Sequence, residues 1–221
     1  MVDSFYQCPL CGFTGELLTF RGRLHAQCPQ CRSLERHRLQ YAVLMQVFAR
    51  WSPAGKAALH FAPEASFKAL FARTFLHYET ADLAAKDVDH QVDLQRLPFA
   101  DQSYDFVFAS HVLEHVADDQ QAISEIRRIL RPDGIAILPV PVVVEKTIEF
   151  SEPNPLQDYH VRAPGLDYYE RYQTRFSRVE TYSSCDVDAA CQPFIYVNTD
   201  CDSPLRVDGA KLRDLVPVCY V

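Results

Sequence analysis

Four cysteines near the N-terminus form the pattern best suited to chemistry in this chain. They occur as two CxxC pairs, Cys8-Pro9-Leu10-Cys11 and Cys28-Pro29-Gln30-Cys31. Each short turn directs two thiolates toward one point, so two such pairs suit a tetrahedral metal centre. Zinc is the expected metal, and iron bound by the same thiolates is the alternative. Four protein ligands leave no open coordination position, so the expected role of the metal is structural.

A second interpretation of these cysteines is a pair of disulfides in a secreted domain. The N-terminus, however, lacks the basic, apolar and small-residue order of a signal peptide. No apolar run approaches the roughly 20 residues that cross a bilayer. We therefore expect a cytoplasmic protein without a membrane partner, whose remaining cysteines are reduced thiols or, alternatively, a second metal site. These are Cys185, Cys191, Cys201 and Cys219.

Charge is distributed unevenly along the chain. Residues 1–50 carry six arginines and three acids, whereas the whole chain has a net charge of −7. The basic segment could bind a phosphate-rich partner such as RNA. The acidic remainder would repel nucleic acid, and a solvated surface is the ordinary alternative. The residues that would form the basic patch are Arg21, Arg23, Arg32, Arg36 and Arg38.

The elements that position these residues follow from the hydrophobic pattern. A helix is expected from its N-cap Ser33 to the breaker Ser52-Pro53-Ala54-Gly55, which sets a domain boundary near residue 50. Beyond it, strands and helices alternate, which predicts a parallel sheet with helices on both faces. The expected strands are 57–62, 77–81, 104–110, 135–140 and 177–183, the expected helices are 66–75, 118–130 and 165–176, and Arg131–Gly134 is expected as a turn.

The C-terminal third departs from this alternation. Residues 145–164 are rich in proline and polar residues and are too long for an ordinary connection, so we expect a substrate lid there. One further strand, either Phe194–Val197 or Val216–Tyr220, is expected as an antiparallel edge.

Three segments follow one another between residues 57 and 141, namely Leu97–Val107, His111–Val116 and Glu125–Gly134. They are similar, in the same order, to the segments "LPF-x-D-x-S-F-D-x-V", "LEHV" and "E-x-x-R-V-L-K-P-G-G" of the class I S-adenosylmethionine-dependent methyltransferases of the type 11 kind. The joint Cys28–Arg38 and the "LHFAPE" segment Leu59–Glu64 resemble a subgroup with an N-terminal cysteine ribbon. The resemblance implies an α/β fold. Its parts would be a zinc-ribbon lobe with linking helix at 1–50 and a Rossmann-like, doubly wound, mostly parallel sheet at 51–221.

The first cofactor motif departs from the family's pattern. The family usually has a glycine-rich turn there, because the backbone must approach the cofactor closely. This chain has Leu59-His60-Phe61-Ala62-Pro63-Glu64 instead, with no glycine. Ala62 is small enough for partial mimicry, and Glu64 is placed to reach the methionine ammonium group. S-adenosylmethionine has no phosphate, so a phosphate cradle is not required.

The resemblance also implies the remaining cofactor contacts. Asp82, at the end of the second strand, corresponds to the acid that binds the ribose hydroxyls, with a turn cap as the alternative role. Asp93 resembles the acid that binds the adenine amino group, with an Asx turn as the alternative. The full expected set for S-adenosylmethionine is His60, Ala62, Glu64, Asp82, Asp93, Leu94 and Ser110.

Methyl transfer needs an aligned acceptor and, for an oxygen or nitrogen acceptor, a base that removes a proton. Histidine suits that role because its pKa lies near neutrality. His111 is the first candidate by strand position and His160 the second, whereas Glu114 and His115 are expected to shape the loop. Arg162 is expected either to hold an anionic group of the acceptor or to pair with local acids.

These observations predict an S-adenosylmethionine-dependent methyltransferase that transfers the methyl group directly, in line, to a small-molecule or peptide acceptor. Two alternatives come from other classes of function. A relative that has lost cofactor binding would act as an interaction module, and an RNA methyltransferase would dock through the basic ribbon. The acceptor and the oligomeric state are not predicted.

Overall fold

The computed structural model describes residues 6–189 and 214–221. These residues form two units, each with its own internal contacts. One comprises the described parts of Met1–Ser52 and Tyr182–Val216, and the other comprises Pro53–Thr181 with Pro217–Val221. None of the helices in the described part of the chain is long and apolar enough to span a bilayer.

The N-terminal unit contains two short antiparallel ribbons and one long helix. Strand β1 pairs with β2, and β3 pairs with β4. A small cluster around Cys8, Leu17 and Cys28 forms the interior of the ribbons. The elements are β1 (Tyr6–Gln7), β2 (Thr14–Gly15), β3 (Leu18–Phe20), β4 (Arg23–Gln27) and α1 (Glu35–Arg50).

Helix α1 begins two residues after the predicted N-cap. Its N-cap is Leu34, whose backbone N–H donates to His37 Nδ1 at 2.9 Å. The prediction that Ser33 caps the helix is wrong, because its hydroxyl lies among the cysteine sulfurs. The buried Arg38 donates to the carbonyls of Ala26 and His25, which ties the helix to β4.

The larger unit contains a seven-stranded sheet with the order β12-β13-β9-β8-β5-β6-β7. Strands β5 to β9 run parallel to one another, and β13 is antiparallel to β9. The Rossmann-like, mostly parallel sheet predicted from the sequence is therefore confirmed. Its elements are β5 (Ala57–Phe61), α2 (Ala65–Thr74), β6 (His77–Asp82), β7 (His90–Gln91), β8 (Tyr104–Ala109), α3 (Asp119–Ile129), β9 (Leu130–Ile137), α4 (Glu170–Gln173), β12 (Arg178–Tyr182) and β13 (Val216–Tyr220).

Buried apolar residues hold this sheet together. Phe106, Val107 and Phe108 of the central strand β8 are fully buried, as expected of a parallel strand covered on both faces. Helix α3 buries one face, and Asp118 caps it by accepting a hydrogen bond from Gln121 N at 3.0 Å. The residues that form its buried apolar face are Ala122, Ile123, Ile126 and Ile129.

Several predicted boundaries differ from the structure. The predicted turn Arg131–Gly134 lies within β9, where the pairing with β8 shifts register. The predicted helix 165–176 is a 3₁₀ turn, Leu166–Tyr169, followed by the short α4. Val216–Tyr220 is antiparallel as predicted, but β12 lies beyond it, so it is not the edge strand. Phe194–Val197 lies outside the described residues.

The predicted lid, residues 145–164, contains an antiparallel hairpin. Strand β10 (Ile148–Asn154) pairs with β11 (His160–Ala163) through the 3₁₀ turn Pro155–Gln157. The hairpin exposes Leu156 and Tyr159 near its tip.

The late cysteines differ from one another. Cys219 is a buried free thiol in β13, as predicted. Cys185 is disulfide-bonded, so the prediction of a reduced thiol is wrong at that position. Cys191 and Cys201 lie outside the described residues.

Candidate functional site

Three neighbouring strands end at one edge of the sheet and bring three of the predicted cofactor residues to that edge. Phe61 of β5 pairs with Ala81 of β6 on one side and with Ala109 of β8 on the other. Because the strands are parallel, the next residues along each chain segment meet at the same edge. These residues are Ala62, Asp82 and Ser110, and such an edge is where ligands bind in open α/β sheets.

The turn after β5 adopts a backbone that glycine usually supplies. Ala62 has φ +45°, in the left-handed region, and its N–H donates to Ala81 O at 2.8 Å. The small methyl side chain limits the steric cost of this conformation. Glu64 follows as the N-cap of α2. The turn therefore forms without a glycine, in the left-handed backbone conformation that a glycine would usually supply.

His60 does not contribute its side chain to this edge. It is 1% exposed, packs edge-on against the rings of Phe71 and Phe108, and its Nδ1 lies 3.0 Å from Tyr78 Oη. Burial lowers the pKa of His60 to about 3, so the ring is neutral. The predicted cofactor contact of this side chain is wrong, because the alternation along β5 directs it into the core.

The two acids predicted to bind the cofactor both organise turns. Asp82 Oδ1 accepts hydrogen bonds from the N–H groups of Ala84 and Ala85 at 2.7 and 2.8 Å. Asp93 Oδ1 accepts one from Gln95 N at 2.8 Å, which is the Asx turn given as its alternative role. Leu94, which directly follows Asp93, is buried. These turns orient both carboxylates after β6 and β7.

The loop before β8 is held by a pair of residues from α3. Arg128 donates to the carbonyls of Leu97 and Phe99 at 3.1 and 2.8 Å and is paired with Glu125. Glu125 accepts a hydrogen bond from Leu97 N at 2.8 Å, and Arg128 lowers the pKa of this carboxyl group. The "E-x-x-R" and "LPF" motifs are therefore in contact, which gives both a structural role.

His111 stands at the end of β8 beside a buried acid. Its backbone has φ +56°, and its N–H donates to Pro139 O at 2.8 Å. Its Nδ1 lies 3.5 Å from Oε1 of Glu114, whose side chain is 1% exposed. A carboxylate beside one ring nitrogen favours a proton there and leaves the other nitrogen as the basic one. This arrangement suits a general base.

Glu114 also lies close to two further histidines, His115 and His160. The potential metal-binding atoms of the three residues lie within 4.8 Å of one another. Partial desolvation of the rings lowers the pKa of both His115 and His160, and His115 lowers the pKa of His160 further. The sequence interpretation gave Glu114 and His115 only a loop-shaping role. The "LEHV" motif signalled both residues, but not the histidine that joins them.

Arg162 has a different role from the predicted acceptor clamp. Its side chain is 3% exposed, and it donates to the carbonyls of Leu113 and Val116, both at 2.6 Å, and of Ala117 at 3.0 Å. It also pairs with Glu149. The clamp prediction is wrong in this structure, because the guanidinium is used to hold the loop after β8. Its pairing with Glu149 agrees with the alternative role.

The four N-terminal cysteines converge on one point. Their sulfurs lie within 4.8 Å of one another, with 3.6 Å between Cys8 and Cys31 and 3.7 Å between Cys11 and Cys28. A tetrahedral metal with bonds of about 2.3 Å to sulfur requires sulfur separations of about 3.8 Å. All four are free thiols, which contradicts the two-disulfide alternative.

The local backbone explains this convergence. In each knuckle, the residue after the second cysteine has positive φ and donates its N–H to the carbonyl of the first cysteine. These residues are Gly12, with φ +75°, and Arg32, with φ +63°. Ser33 Oγ lies 3.3 Å from Cys8 Sγ and 3.1 Å from Cys31 Sγ, a position that no spacing rule predicted. The cysteines therefore fit a metal ion.

Comparisons with known proteins support the fold described for the larger unit. Residues 55–138 match a family described as a methyltransferase domain. A SAM-dependent methyltransferase from Archaeoglobus fulgidus has a TM-score of 0.55 and 11% identity over 83% of this chain and 94% of its own. The fold is that of the S-adenosylmethionine-dependent methyltransferases. The 1,6-didemethyltoxoflavin-N1-methyltransferase of Burkholderia thailandensis, solved with S-adenosylhomocysteine, also has a TM-score of 0.55, with 14% identity over 83% of this chain and 77% of its own.

Sequence similarity to curated proteins is confined to part of the chain. The probable S-adenosylmethionine-dependent methyltransferase of Mycolicibacterium smegmatis is 36% identical over 76 residues, which are 34% of this chain and 28% of that protein. The chain spans about a quarter of the length of the curated relatives it matches. These matches support the methyltransferase domain and do not identify an acceptor.

Proposed function

We propose that this chain is an S-adenosylmethionine-dependent methyltransferase that acts on a small-molecule or peptide acceptor. The observation that carries the proposal is the meeting of Ala62, Asp82 and Ser110 at one sheet edge, within the segment that matches a methyltransferase domain. When bound, the cofactor supplies a methyl group on a sulfonium, which passes to the acceptor and leaves S-adenosylhomocysteine.

The residues at this edge have separate roles in the proposal. The backbone of the turn at Ala62 lies against the cofactor, and the Glu64 carboxylate binds the methionine ammonium group. Asp82 accepts hydrogen bonds from the ribose hydroxyls, and Asp93 and Leu94 bind the adenine. Each acid keeps a turn through Oδ1, so its carboxylate is oriented before the cofactor arrives.

His111 removes the proton from an oxygen or nitrogen acceptor. Glu114, beside Nδ1, orients the ring and stabilises its charged form. The hairpin of β10 and β11 covers the acceptor as a lid, since it lies within the segment that follows the last parallel strand. His160 belongs to this hairpin and lies close to Glu114.

The cysteine ribbon is proposed to hold a structural zinc ion. Four sulfur ligands close the coordination sphere, so this ion does not take part in methyl transfer. We place the lobe and its linking helix at 1–50 and the methyltransferase domain at 51–221. The proposed RNA-docking patch loses two of its five arginines, because Arg38 is buried and Arg23 is paired with Glu35. A small acceptor is therefore preferred.

Calorimetric titration of the zinc-loaded protein with S-adenosylmethionine and S-adenosylhomocysteine tests the proposal. We expect micromolar binding that Asp82→Asn and Asp93→Asn weaken about tenfold or more, since each removes a charged hydrogen-bond acceptor. Asparagine keeps an oxygen for the turn, so a loss reports on the cofactor contact rather than on the loop. Asp87→Asn, an exposed acid in the loop after β6, is the matched control.

Absence of heat with either ligand, on folded protein, would reject the enzyme and favour an interaction module. If Asp82→Asn left the affinity unchanged, the protein would still bind the cofactor, but Asp82 would not be the residue that binds its ribose.

A further inference from the structure

The cluster of Glu114, His115 and His160 contains more ligating groups than a proton-transfer role for His111 requires. We propose that these three residues bind a divalent transition-metal ion, at a second metal site distinct from the four cysteines. Two imidazoles and one carboxylate are ligands that suit zinc, iron, cobalt, nickel and manganese. Three protein ligands leave coordination positions open, so this ion can also bind an oxygen atom of a small molecule.

The geometry of the two rings suits shared coordination. The ring centroids of His115 and His160 are 4.6 Å apart, and the two ring planes make an angle of 89°. An ion about 2.1 Å from each ring nitrogen lies about 3.2 Å from each centroid. Two rings in adjacent positions, about 90° apart, then have centroids about 4.5 Å apart. The observed separation matches that of neighbouring ligands.

The carboxylate can serve His111 and the ion at the same time. Oε1 of Glu114 faces His111 Nδ1, and the ion is proposed to take Oε2. A carboxylate that is 1% exposed needs compensation by positive charge or strong hydrogen bonds.

The histidine from the hairpin has an atom that is available to a ligand. Nδ1 of His160 is buried and makes no hydrogen bond to any of the described residues. A buried ring nitrogen without such a bond costs free energy, which coordination would recover. His115 is exposed, so an ion can enter from solvent.

The two halves of the site are held together before any ion binds. Glu114 and His115 lie in the 3₁₀ turn Leu113–His115 after β8, and His160 is the first residue of β11. Arg162, two residues along the same strand, donates to the carbonyls of Leu113 and Val116 on either side of Glu114 and His115. The hairpin and the turn are therefore fixed to each other by a buried side chain, which is what a preorganised metal site needs.

Cobalt(II) titration of the full-length, zinc-loaded protein tests this site. We expect one cobalt ion per chain in addition to the zinc. X-ray absorption at the cobalt edge should show nitrogen and oxygen neighbours and no sulfur, because the cysteines already hold zinc. His115→Ala and His160→Ala should each weaken cobalt binding at least tenfold. His77 is an exposed histidine at the amino end of β6, so His77→Ala should leave cobalt binding unchanged.

Zinc content and circular dichroism of every variant check that it is folded. His115 is exposed, so its removal tests the site even where another variant unfolds. Failure to bind a second ion, sulfur in the cobalt shell, or binding that both histidine variants retain would overturn the proposal. The titration contains no S-adenosylmethionine, so its outcome is independent of the proposed methyltransferase activity.

Discussion

Two residues at the edge of the sheet hold the backbone in a conformation that side chains rarely adopt. Ala62 follows β5 with φ +45°, and His111 follows β8 with φ +56°. These strands are neighbours and run parallel, so both left-handed residues lie at the edge where the cofactor is proposed to bind. Conformations of this kind cost about 1–3 kcal/mol and concentrate at functional sites. Strain at both positions agrees with a site selected for its geometry.

Burial of His60 predicts a specific dependence of stability on pH. Its pKa is about 3 in the folded protein and about 6.5 when unfolded, so the unfolded chain binds the extra proton between these values. The contribution of His60 to the free energy of unfolding is complete above pH 6.5. It falls by up to about 1.4 kcal/mol per unit as the pH drops toward 3.

Denaturant unfolding of wild type and His60→Gln from pH 7 to pH 4 measures this effect. Glutamine keeps a polar atom for Tyr78 but does not titrate, so its profile should be shallower than that of wild type. His77→Gln, at an exposed position, should follow wild type. Parallel profiles for wild type and His60→Gln would show that His60 can be protonated in the folded state.

At the scale of elements, buried or partly buried arginines connect loops to the elements beside them. Arg128 in α3 holds the carbonyls of the loop before β8, and Arg162 in β11 holds those of the loop after it. Both loops flank the strand that ends at His111. The position of the proposed base therefore depends on guanidinium groups that do not reach the reacting atoms.

Replacing Arg128 should destabilise the larger unit. Arg128→Met removes charge-assisted hydrogen bonds to two carbonyls and to Glu125 and leaves that acid without its arginine. We expect a loss of about 2 kcal/mol in the free energy of unfolding. Arg127→Met, on the same helix, should change it by less than about 0.5 kcal/mol. Chemical denaturation of the three proteins compares them, and equal stability would show that the loop is held by other contacts.

At the scale of the whole molecule, the two units differ in what stabilises them. The ribbons enclose a cluster of only a few residues around Cys8, Leu17 and Cys28. So small an interior does not usually hold a fold without a metal or a disulfide. The sheet unit has a continuous core along β5, β8 and β9 and needs no metal ligand for it.

Removal of the structural metal should therefore affect the units unequally. A strong chelator is expected to abolish hydrogen-exchange protection in residues 6–27, while protection of β5, β8 and β9 persists. Added zinc should restore the ribbon, and Cys11→Ser should reproduce the effect of the chelator. Hydrogen exchange with mass spectrometry follows both units in one sample. Loss of protection in β8 together with the ribbon would contradict independent stabilisation.

Local patterns determined the parts of this protein that depend on neighbours in sequence. CxxC spacing predicted the convergence of four sulfurs, because each knuckle needs only five or six consecutive residues. The alternation of strands and helices predicted the parallel sheet, and the carboxyl ends of the predicted strands placed Asp82 and Ser110 at its edge. A continuous apolar run predicts a buried parallel strand. The direction of the chain then gives the carboxyl end of that strand, which is where ligands bind.

Tertiary structure alone decided which side chains became buried and which loops met. The sequence of β5 does not reveal that His60 faces the rings of α2 and β8, so its chemistry was misjudged. Ser33 and Arg162 have the residue types of a helix cap and an anion clamp. In the structure the Ser33 hydroxyl lies against the sulfurs of Cys8 and Cys31, and Arg162 donates to the carbonyls of the loop after β8. His160 reaches Glu114 across 46 positions because a hairpin folds back onto the turn after β8. No local period encodes such a contact, since it depends on the packing of the whole unit.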